Sequence, residues 1–465
     1  MSISKEEKLL ATGNIGTLFR KFGIPAIIGL LFFGLQPVVD GLFLGNYVGP
    51  EALAGVNIFM PIYSFVSASA VVVGIGCQTV VSISLGQNRH ARAHNAFKTA
   101  AIFMFLSCVL VSIICVIGAA PISKLLGADE VLLPYTVNYM RTFAPFFPLM
   151  VLVWLGDYIL KATGRPFFSL FLLGLILGMN IVLDFLFIRC LGWGVQGAAC
   201  ATGLGLTSAF IILYTQLLKG STIVSLRKGK FSVPLLVTML YNGSSEGFSE
   251  LASGITVLLF NWMMMSNLGA DGVAAFTTVN YVLFLGVQLF LGLSEGIIPI
   301  LSYNFGAGSK ERMRRTLLLG FRTNATIGVI FFISILLGAD EIMRLFYEGD
   351  AANGHVEKIL SISSMGASIV SLAFLLNGAN ILSSSFFTSM GDARTSAYIS
   401  MLRGLVMTSF GLLIYPLFFG EYGIWLVIPV AEVVTAFYTW RVFRKKAPWV
   451  FNPSSSSDKK EATCP

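Results

Sequence analysis

Long apolar stretches, separated by short polar segments, dominate the chain from end to end. Three of them read AAIFMFLSCVLVSIICVIGAA (residues 100–120), GWGVQGAACATGLGLTSAFIILYTQLL (192–218) and TNATIGVIFFISILLGA (323–339). A helix needs about 20 apolar residues to cross the hydrocarbon core, where its backbone hydrogen bonds must be made internally. The pattern therefore predicts an all-α protein with twelve transmembrane helices, at residues 15–44, 51–80, 95–120, 131–160, 166–190, 192–218, 234–267, 272–300, 314–338, 356–390, 395–420 and 422–445.

The composition is that of an integral membrane protein. Of the 465 residues, 55% are hydrophobic and only 12% are charged, and the mean hydropathy is +0.81. Soluble domains carry about 25% charged residues. The six cysteines show no CxxC spacing, which argues against a disulfide framework and against a metal cluster. We therefore expect no cofactor and no structural metal.

Lysine and arginine concentrate in alternate loops, and this asymmetry indicates the orientation. One face holds most of these residues, while the other face holds only Lys124, Arg141, Arg189, Arg344 and Lys358. The distribution predicts a multi-pass protein of the plasma (inner) membrane with both termini in the cytoplasm. It also explains the net charge of +8 through topology and anionic headgroups. We therefore expect contacts with membrane lipids and none with nucleic acid.

The chain contains an internal repeat. When the sequence is displaced along itself, VGPEALAGVNIFM (48–60) aligns with LGADGVAAFTTVN (268–280), and ATGRPFFS (162–169) matches SMGDARTS (389–396) at a slightly larger displacement. Six helices per repeat give two halves with the same orientation, as in alternating-access transporters. This predicts two pseudo-symmetric six-helix bundles, at 1–218 and 234–445, with a basic cytoplasmic linker at 219–233 and a disordered cytoplasmic tail at 446–465.

A single carboxylate interrupts one apolar stretch, MNIVLDFLFI (179–188). Placing a charged carboxylate in the centre of a bilayer costs about 2.5–3.5 kcal/mol on the insertion scale, so Asp184 must be neutral, paired or bound to a cation. Asn180 lies one helical turn earlier and adds a carbonyl oxygen to the same face. Asp40 lies deep in the first span, behind GLLFFGLQPVV.

Several motifs resemble the multidrug and toxic compound extrusion family. They are VVDGLFLGNYVGPEALAGVNIFMPI (38–62), LGQNRHARA (85–93), MNIVLDFLFI and GLSEGIIPILSYNFGAG (292–308), and the likeness extends through all twelve spans. The chain most resembles the prokaryotic branch whose ion site lies in the N-terminal half. The resemblance implies export of amphipathic, often cationic, small organic compounds in exchange for sodium ions or protons.

The resemblance also implies a set of ion-binding residues. The family's pattern combines an Asp on the first span, an Asn and an Asp four residues apart on the fifth, a hydroxyl on the sixth and a polar residue on the fourth. The corresponding positions are Asp40, Asn180, Asp184, Thr202 and Tyr139. Carboxylate, carbonyl and hydroxyl oxygens suit hard cations, so these groups could hold a sodium ion, while a proton on one carboxylate is the alternative.

The C-terminal half does not repeat this set but has acidic residues of its own. Glu246 and Glu250 share a helical face, and Glu432 lies in the twelfth span. The resemblance makes them candidates for substrate or secondary ion binding, and Arg403 could neutralise one of them. Pro25 in the first span removes a backbone hydrogen bond, and the resemblance makes it a candidate hinge.

These observations predict a monomeric secondary active multidrug exporter that works by alternating access. A flippase of lipid-linked or other amphiphilic substrates on the same fold is the alternative, although we would expect a more cationic cavity for a pyrophosphate group. An enzyme is the least favoured class, because no nucleophile with a base, metal-ligand spacing or cofactor loop accompanies the buried carboxylates.

Overall fold

The fold is defined by a computed structural model that describes residues 5–218, 223–346 and 354–451. The chain divides into two compact units, Met1–Gly247 (unit 1) and Phe248–Pro465 (unit 2). Within the described residues, every regular element is a helix. Residues 452–465, most of the predicted tail, and residues 219–222 of the predicted linker lie outside them.

Unit 1 contains nine complete helices and the beginning of a tenth. They are α1 (Lys5–Thr12), α2 (Ile15–Tyr47), α3 (Pro50–Gly86), α4 (His90–Ile117), α5 (Ala119–Leu125), α6 (Leu133–Phe143), α7 (Phe147–Ala162), α8 (Pro166–Asp184), α9 (Gly194–Leu218) and the first part of α10 (Val233–Gly306). A 3-10 turn, Ala144–Phe146, joins α6 to α7, and a π-helical turn, Phe185–Cys190, continues α8.

Unit 2 contains the rest of α10 and the remaining helices. They are α11 (Lys310–Arg344), α12 (Gly354–Ser371), α13 (Phe374–Ser389), α14 (Ala393–Met401), α15 (Met407–Phe419) and α16 (Glu421–Lys446). A π-helical turn, Leu402–Val406, joins α14 to α15, and a 3-10 turn, Pro448–Val450, follows α16.

The prediction of twelve membrane-spanning helices is confirmed. Within the part of the chain that the structure describes, ten continuous helical stretches are long and apolar enough to cross a membrane, and the bent pair α12–α13 is an eleventh. The twelfth arises because α10, at 74 residues, comprises two spans joined at Gly269, whose φ of 65° and ψ of −153° are not helical. Such a backbone conformation favours glycine, which lacks a Cβ atom.

The two units interrupt their helices at corresponding places. Gly118 separates α4 from α5, and α11 loses helical geometry at Gly338. The alignment of 48–60 with 268–280, extended along the chain, pairs these two glycines. The alignment of 162–169 with 389–396 likewise places the turn between α6 and α7 at the 53° bend between α12 and α13. The internal repeat in the sequence is therefore also a repeat of helix breaks.

A polar clamp joins two neighbouring helices at corresponding positions of each unit. In unit 1, Asp157 of α7 accepts a hydrogen bond from Ser169 of α8 and pairs with Lys161 at 2.6 Å. In unit 2, Ser384 and Thr388 of α13 each hydrogen-bond Ser396 of α14 at 2.7 Å. The alignment of 162–169 with 389–396, extended along the chain, pairs Asp157 with Ser384, Lys161 with Thr388 and Ser169 with Ser396. The repeat preserves a polar junction while exchanging charged groups for hydroxyls.

The N-terminal helix and the described part of the linker both pack on other segments of unit 1. Glu6 of α1 pairs with Arg165 at 3.2 Å, Glu7 pairs with His90 at 3.7 Å, and Leu10 is fully buried. The linker is fixed to the start of α4 by backbone N–H groups, which donate from Ser225 to His94 Nδ1, from Lys230 to Asn95 Oδ1 and from Ser232 to Thr99 Oγ1.

The boundary between the units lies within α10, beyond the predicted linker, because the start of α10 packs closely on α3. A Cβ atom on Gly243 would lie 1.7 Å from the backbone oxygen of Val72, and one on Gly76 would lie 2.0 Å from that of Met239. The predicted bundle boundaries describe membrane topology, which this division does not test, so they stay a prediction.

We expect Gly243→Ala to destabilise the protein and Gly254→Ala to leave it unchanged or slightly more stable. A Cβ atom on Gly254 meets no other atom within 4 Å, and alanine is favoured over glycine in a helix by about 0.5–1 kcal/mol. At Gly243 the backbone of α3 must move, which costs about 1–3 kcal/mol. Thermal unfolding of the two purified variants in detergent checks this, and equal melting temperatures would contradict the close α3–α10 contact.

Candidate functional site

A buried polar cluster lies between apolar helices in unit 1, centred on α8. Asn180 and Asp184 lie one turn apart on this helix, and both side chains are fully buried. The π-helical turn Phe185–Cys190 starts directly after Asp184. Such turns within α-helices are frequent at functional sites.

Asn180 connects three helices through its side-chain amide. Its Nδ2 atom donates to Asp40 Oδ1 of α2 at 2.9 Å and to Thr202 Oγ1 of α9 at 3.1 Å. Thr202 Oγ1 in turn donates to Asp40 Oδ2 at 3.4 Å. The structure therefore brings together three of the residues that the resemblance assigns to the ion site.

Asp184 completes the cluster. Its carboxyl group interacts with that of Asp40. Among the described residues, no N–H group and no Ser, Thr or Tyr hydroxyl donates a hydrogen bond to either oxygen of Asp184 or to Asn180 Oδ1. Three buried oxygen acceptors are thus left without a protein donor, and a buried acceptor in this state is costly unless a cation or a proton satisfies it.

The cluster has no cationic side chain of its own. Among the residues that the structure describes, neither Asp40 nor Asp184 forms an ion pair with lysine, arginine or histidine. The described part of the chain also holds no group of three or more His, Cys, Asp or Glu side chains suited to a metal ion. The donor set of two carboxylates, an amide and a hydroxyl fits one monovalent cation or one proton.

Tyr139 lies beside the cluster, as the resemblance implies. Its hydroxyl interacts electrostatically with both carboxylates, and its ring packs on Phe59 at 5.2 Å and on Phe143 at 5.8 Å between centroids. The side chain is buried, with 5% of its surface exposed. Tyr63 was not predicted and also interacts with Asp40.

A cavity adjoins this cluster within unit 1. Thr202 belongs to both, because its hydroxyl binds Asp40 and its side chain lines the cavity wall. The wall is mostly aromatic and aliphatic, like that of most small-molecule sites. It is formed by Phe32, Phe33, Gln36, Tyr63, Phe143, Met150, Trp154, Leu173, Ile176, Leu177, Thr202 and Leu206.

The proposed hinge residue lies on the helix that links these features. α2 stays helical through Pro25 and Pro37, and Pro25 is buried while Pro37 is exposed. The same helix carries Asp40 and the cavity residues Phe32 and Phe33. Whether Pro25 bends in function stays a prediction.

The three acidic residues predicted in the C-terminal half have different surroundings. Glu246 is buried on α10, while Glu250, one turn later, is exposed. Glu432 is buried on α16 and pairs with Arg403, whose Nε lies 3.4 Å from Glu432 Oε1. In the described residues, no ion pair or hydrogen bond links Glu250 to Glu432. The suggestion that Arg403 neutralises an acid fits Glu432, while the roles of the three acids stay predictions.

Two asparagines at this second location were not identified from the sequence. Asn377 and Asn380 of α13 both donate to the Glu432 carboxylate, at 2.9 and 2.7 Å. Their spacing of three residues within LLNGANIL is a detectable signal, because two amides on one face of an apolar helix need partners. The residues of the cavity gave no such signal, because aromatic side chains occur throughout the spans.

Comparison with known families identifies the scaffold. The MatE family matches the chain at residues 25–186 and again at residues 252–413. The two matches are equally long, and superposing them pairs the residues of one polar clamp with those of the other. The family model therefore recognises the same repeat that the sequence shows on its own.

Curated relatives have a similar length and are described as exporters. The multidrug export protein MepA of Staphylococcus aureus (strain MRSA252) is 23% identical over 89% of this chain and 90% of its own length. MepA of Staphylococcus haemolyticus (strain JCSC1435) is 22% identical over 93% of this chain and 94% of its own.

Solved structures share the fold across the whole chain. A MATE transporter crystallised in a bent conformation superposes with a TM-score of 0.89 at 24% identity, covering 98% of this chain and 100% of that one. A MATE in a straight conformation gives 0.88 at 24%, covering 97% and 100%. Because the family matches more than half of the sequence and occurs once in each unit, the chain belongs to the MatE family of multi-pass membrane transporters.

Proposed function

We propose that the chain is a secondary active multidrug exporter. It exchanges amphipathic, often cationic, organic compounds for sodium ions or protons by alternating access between the two sides of the membrane. The names of its MepA relatives as multidrug export proteins support the substrate class. The observation that carries the proposal is the carboxylate pair Asp40–Asp184, with Asp184 fully buried and Asp40 partly buried. Within the described residues this pair has no cationic partner, and it adjoins a mostly apolar cavity.

The ion has a direct physical role in this proposal. Two carboxylates in a region of low dielectric repel each other strongly when both are ionised. A sodium ion bound by the carboxylates, Asn180 Oδ1 and Thr202, or a proton shared by Asp40 and Asp184, removes this repulsion. Ion binding therefore draws α2 and α9 towards α8, while the ion-free cluster lets them separate.

The cavity and the ion cluster compete through shared elements. α2 supplies Asp40 to the cluster and Phe32, Phe33 and Gln36 to the cavity, and Thr202 belongs to both sites. A shift of α2 on ion binding would change the cavity volume and expel the substrate. Pro25 is a suitable hinge because its ring removes one backbone hydrogen bond. Related structures described as bent and straight are compatible with such a motion.

The membrane potential can drive this exchange when net charge crosses the membrane, as when a neutral substrate leaves for one entering ion or a monovalent cation leaves for two. One elementary charge moving through 100 mV supplies about 2.3 kcal/mol. That corresponds to a concentration ratio of about fifty. The basic loops favour an orientation with both termini in the cytoplasm. In that orientation an ion would enter the cluster from outside, and substrate would enter the cavity from the cytoplasm or the inner leaflet.

We expect Asp184→Asn to abolish gradient-driven efflux. The amide keeps the size of the side chain but removes the charge that the ion neutralises, so transport should fall by at least about tenfold. Efflux of a lipophilic cation from proteoliposomes, under an imposed sodium gradient or an imposed proton gradient, measures this and names the ion. Glu357→Gln, the same change on an exposed residue, is the control and should transport normally.

Two outcomes would contradict this. If folded Asp184→Asn transports as well as the unmodified protein, Asp184 is not the coupling residue. If the unmodified protein never moves the cation under either gradient, the exporter proposal fails for this substrate class, and lipid-like amphiphiles become the substrates to test.

Thr202→Val should weaken ion binding, whereas Thr207→Val should not. Both side chains lie on α9, but Thr202 contacts the cluster while Thr207 bonds only Gly203 O within its own helix. If sodium is the ion, it should raise the melting temperature of the purified protein, because a ligand that binds only the folded state stabilises it. Loss of one oxygen ligand should raise the half-maximal sodium concentration about five- to tenfold. Equal sodium curves for the two variants would exclude Thr202 as a ligand.

The proposed orientation can be tested with single cysteines. Gln87, between α3 and α4, and Glu130, between α5 and α6, are both exposed and should face opposite sides. With the native cysteines replaced by alanine, an impermeant maleimide should label Glu130→Cys on intact cells and Gln87→Cys only after permeabilisation. The reverse pattern would place the termini outside.

A further inference from the structure

Two positions that line the unit 1 cavity have a different chemistry in unit 2. Met150 and Ile176 lie on the cavity wall. In the register that superposes the two polar clamps, Met150 corresponds to Asn377 and Ile176 to Arg403. An amide and a guanidinium therefore replace two apolar wall residues.

A third wall position changes in the same way on the last helix of each unit. Gly194 and Gly420, at φ of +57° and +58°, mark the start of these two helices. When the two glycines are aligned, Leu206 of the cavity wall corresponds to Glu432. Three apolar wall residues of unit 1 are thus replaced by a polar cluster in unit 2.

Glu432 is fully satisfied within this cluster. Asn377 donates to its Oε1 at 2.9 Å, and Asn380 donates to its Oε2 at 2.7 Å and to its backbone oxygen at 2.9 Å. Arg403 adds only an ion pair, with Nε 3.4 Å from Oε1. The carboxylate would keep its two amide donors even if the guanidinium moved away.

Arg403, in contrast, has unused hydrogen-bonding capacity. A guanidinium has five N–H donors, yet none of them makes a hydrogen bond to another described residue, and a quarter of the side chain is exposed. Asn377 Oδ1 is buried and likewise has no donor among the described residues. The cluster therefore presents a donor surface on Arg403 and an acceptor on Asn377.

The depth of Arg403 limits what can approach it. It lies ten residues after the start of α14 at Ala393, which corresponds to about 15 Å along a helix. Because the predicted span 395–420 begins close to Ala393, we infer that Arg403 lies inside the hydrocarbon core, whose thickness is about twice this distance. A ligand inside a transporter reaches such a position, whereas a lipid headgroup at the membrane surface does not. The backbone around it is fixed, because Thr256 donates to Gly404 O and Gly404 packs on Ala252.

We propose that unit 2 contains a second ligand subsite, in which Arg403 binds the carboxylate of a zwitterionic or anionic amphiphile. The planar guanidinium suits bidentate binding of a carboxylate, and Asn377 Oδ1 accepts a hydrogen bond from a donor group of the same ligand. Glu432 holds Arg403 in place and repels the incoming anion, so it limits affinity. The subsite extends the range of ligands beyond the cations of the proposed export function, and it is a statement about binding that does not depend on transport.

Two xanthylium dyes that differ only in one carboxyl group test this subsite. The zwitterionic dye has a free carboxylate, and the cationic dye is its methyl ester. Binding to the purified protein in nanodiscs is measured by fluorescence anisotropy at fixed ionic strength. Arg403→Gln should weaken binding of the zwitterionic dye at least about tenfold, as for loss of a charge-assisted pair, and change the affinity for the ester less than about twofold.

The variant Glu432→Gln gives the sharpest test, because the subsite and a purely structural ion pair predict opposite changes in affinity for the carboxylate dye. This variant keeps an acceptor oxygen for one of the two asparagines, places an NH2 group opposite the other and removes the negative charge. Binding of the carboxylate dye should therefore strengthen several-fold, while a purely structural ion pair predicts that both substitutions weaken binding of both dyes. Arg403→Lys keeps the positive charge and should retain part of the selectivity. If Arg403→Gln does not fold, the direction of the change in dye affinity in Glu432→Gln and Arg403→Lys still tests the proposal. If each variant changes the affinities for the two dyes by the same factor, the proposal is overturned. This outcome does not depend on whether the protein exports the ester.

Discussion

The low dielectric of the membrane interior governs which charged groups this fold can hold. A carboxylate in that environment needs a cationic partner, a bound ion or a proton. Unit 2 meets the requirement internally, because Glu432 has Arg403 and two asparagine amides. The ion cluster of unit 1 has two carboxylates, Asp40 and Asp184, and neither forms an ion pair with a cationic side chain within the described residues. These two clusters therefore neutralise their charge in different ways.

The internal repeat preserves the arrangement of the helices while the side chains inside the two units differ. Helix breaks recur at corresponding positions in both units, as at Gly118 and Gly338. The polar clamp also recurs, although Asp157 and Lys161 correspond to Ser384 and Thr388. These junctions need polar atoms where two helices meet, and they tolerate either charged groups or hydroxyls. The interior of each bundle has no such constraint, so an apolar cavity in one unit corresponds to an ion pair in the other.

The sequence predicts the helices well because hydrocarbon leaves the backbone no other solution. It does not predict that α10 runs through two spans, since the backbone angles of Gly269 depend on local packing. The neighbourhood of Asp184 and Asn180 follows from helical spacing, whereas Thr202 and Tyr139 required family resemblance because hydroxyls occur in many spans. The cavity depends on which aromatic side chains face inward, and the bundle arrangement decides that. Asn377 and Asn380 show that a short amide pattern can identify a buried partner before the acid it binds is known.

The difference between the units bears on how many ions a transport cycle needs. A cluster whose carboxylate is paired with its own guanidinium needs no added ion to neutralise it. A cluster with two carboxylates and no cation changes its stability with every ion that enters or leaves. Coupling confined to unit 1 would then act through α2 and α9, the helices that supply Asp40 and Thr202. Thr202 also lines the cavity. The electrostatic change at the ion cluster would therefore reach the space that a substrate occupies through this one side chain, without a chain of intermediate residues.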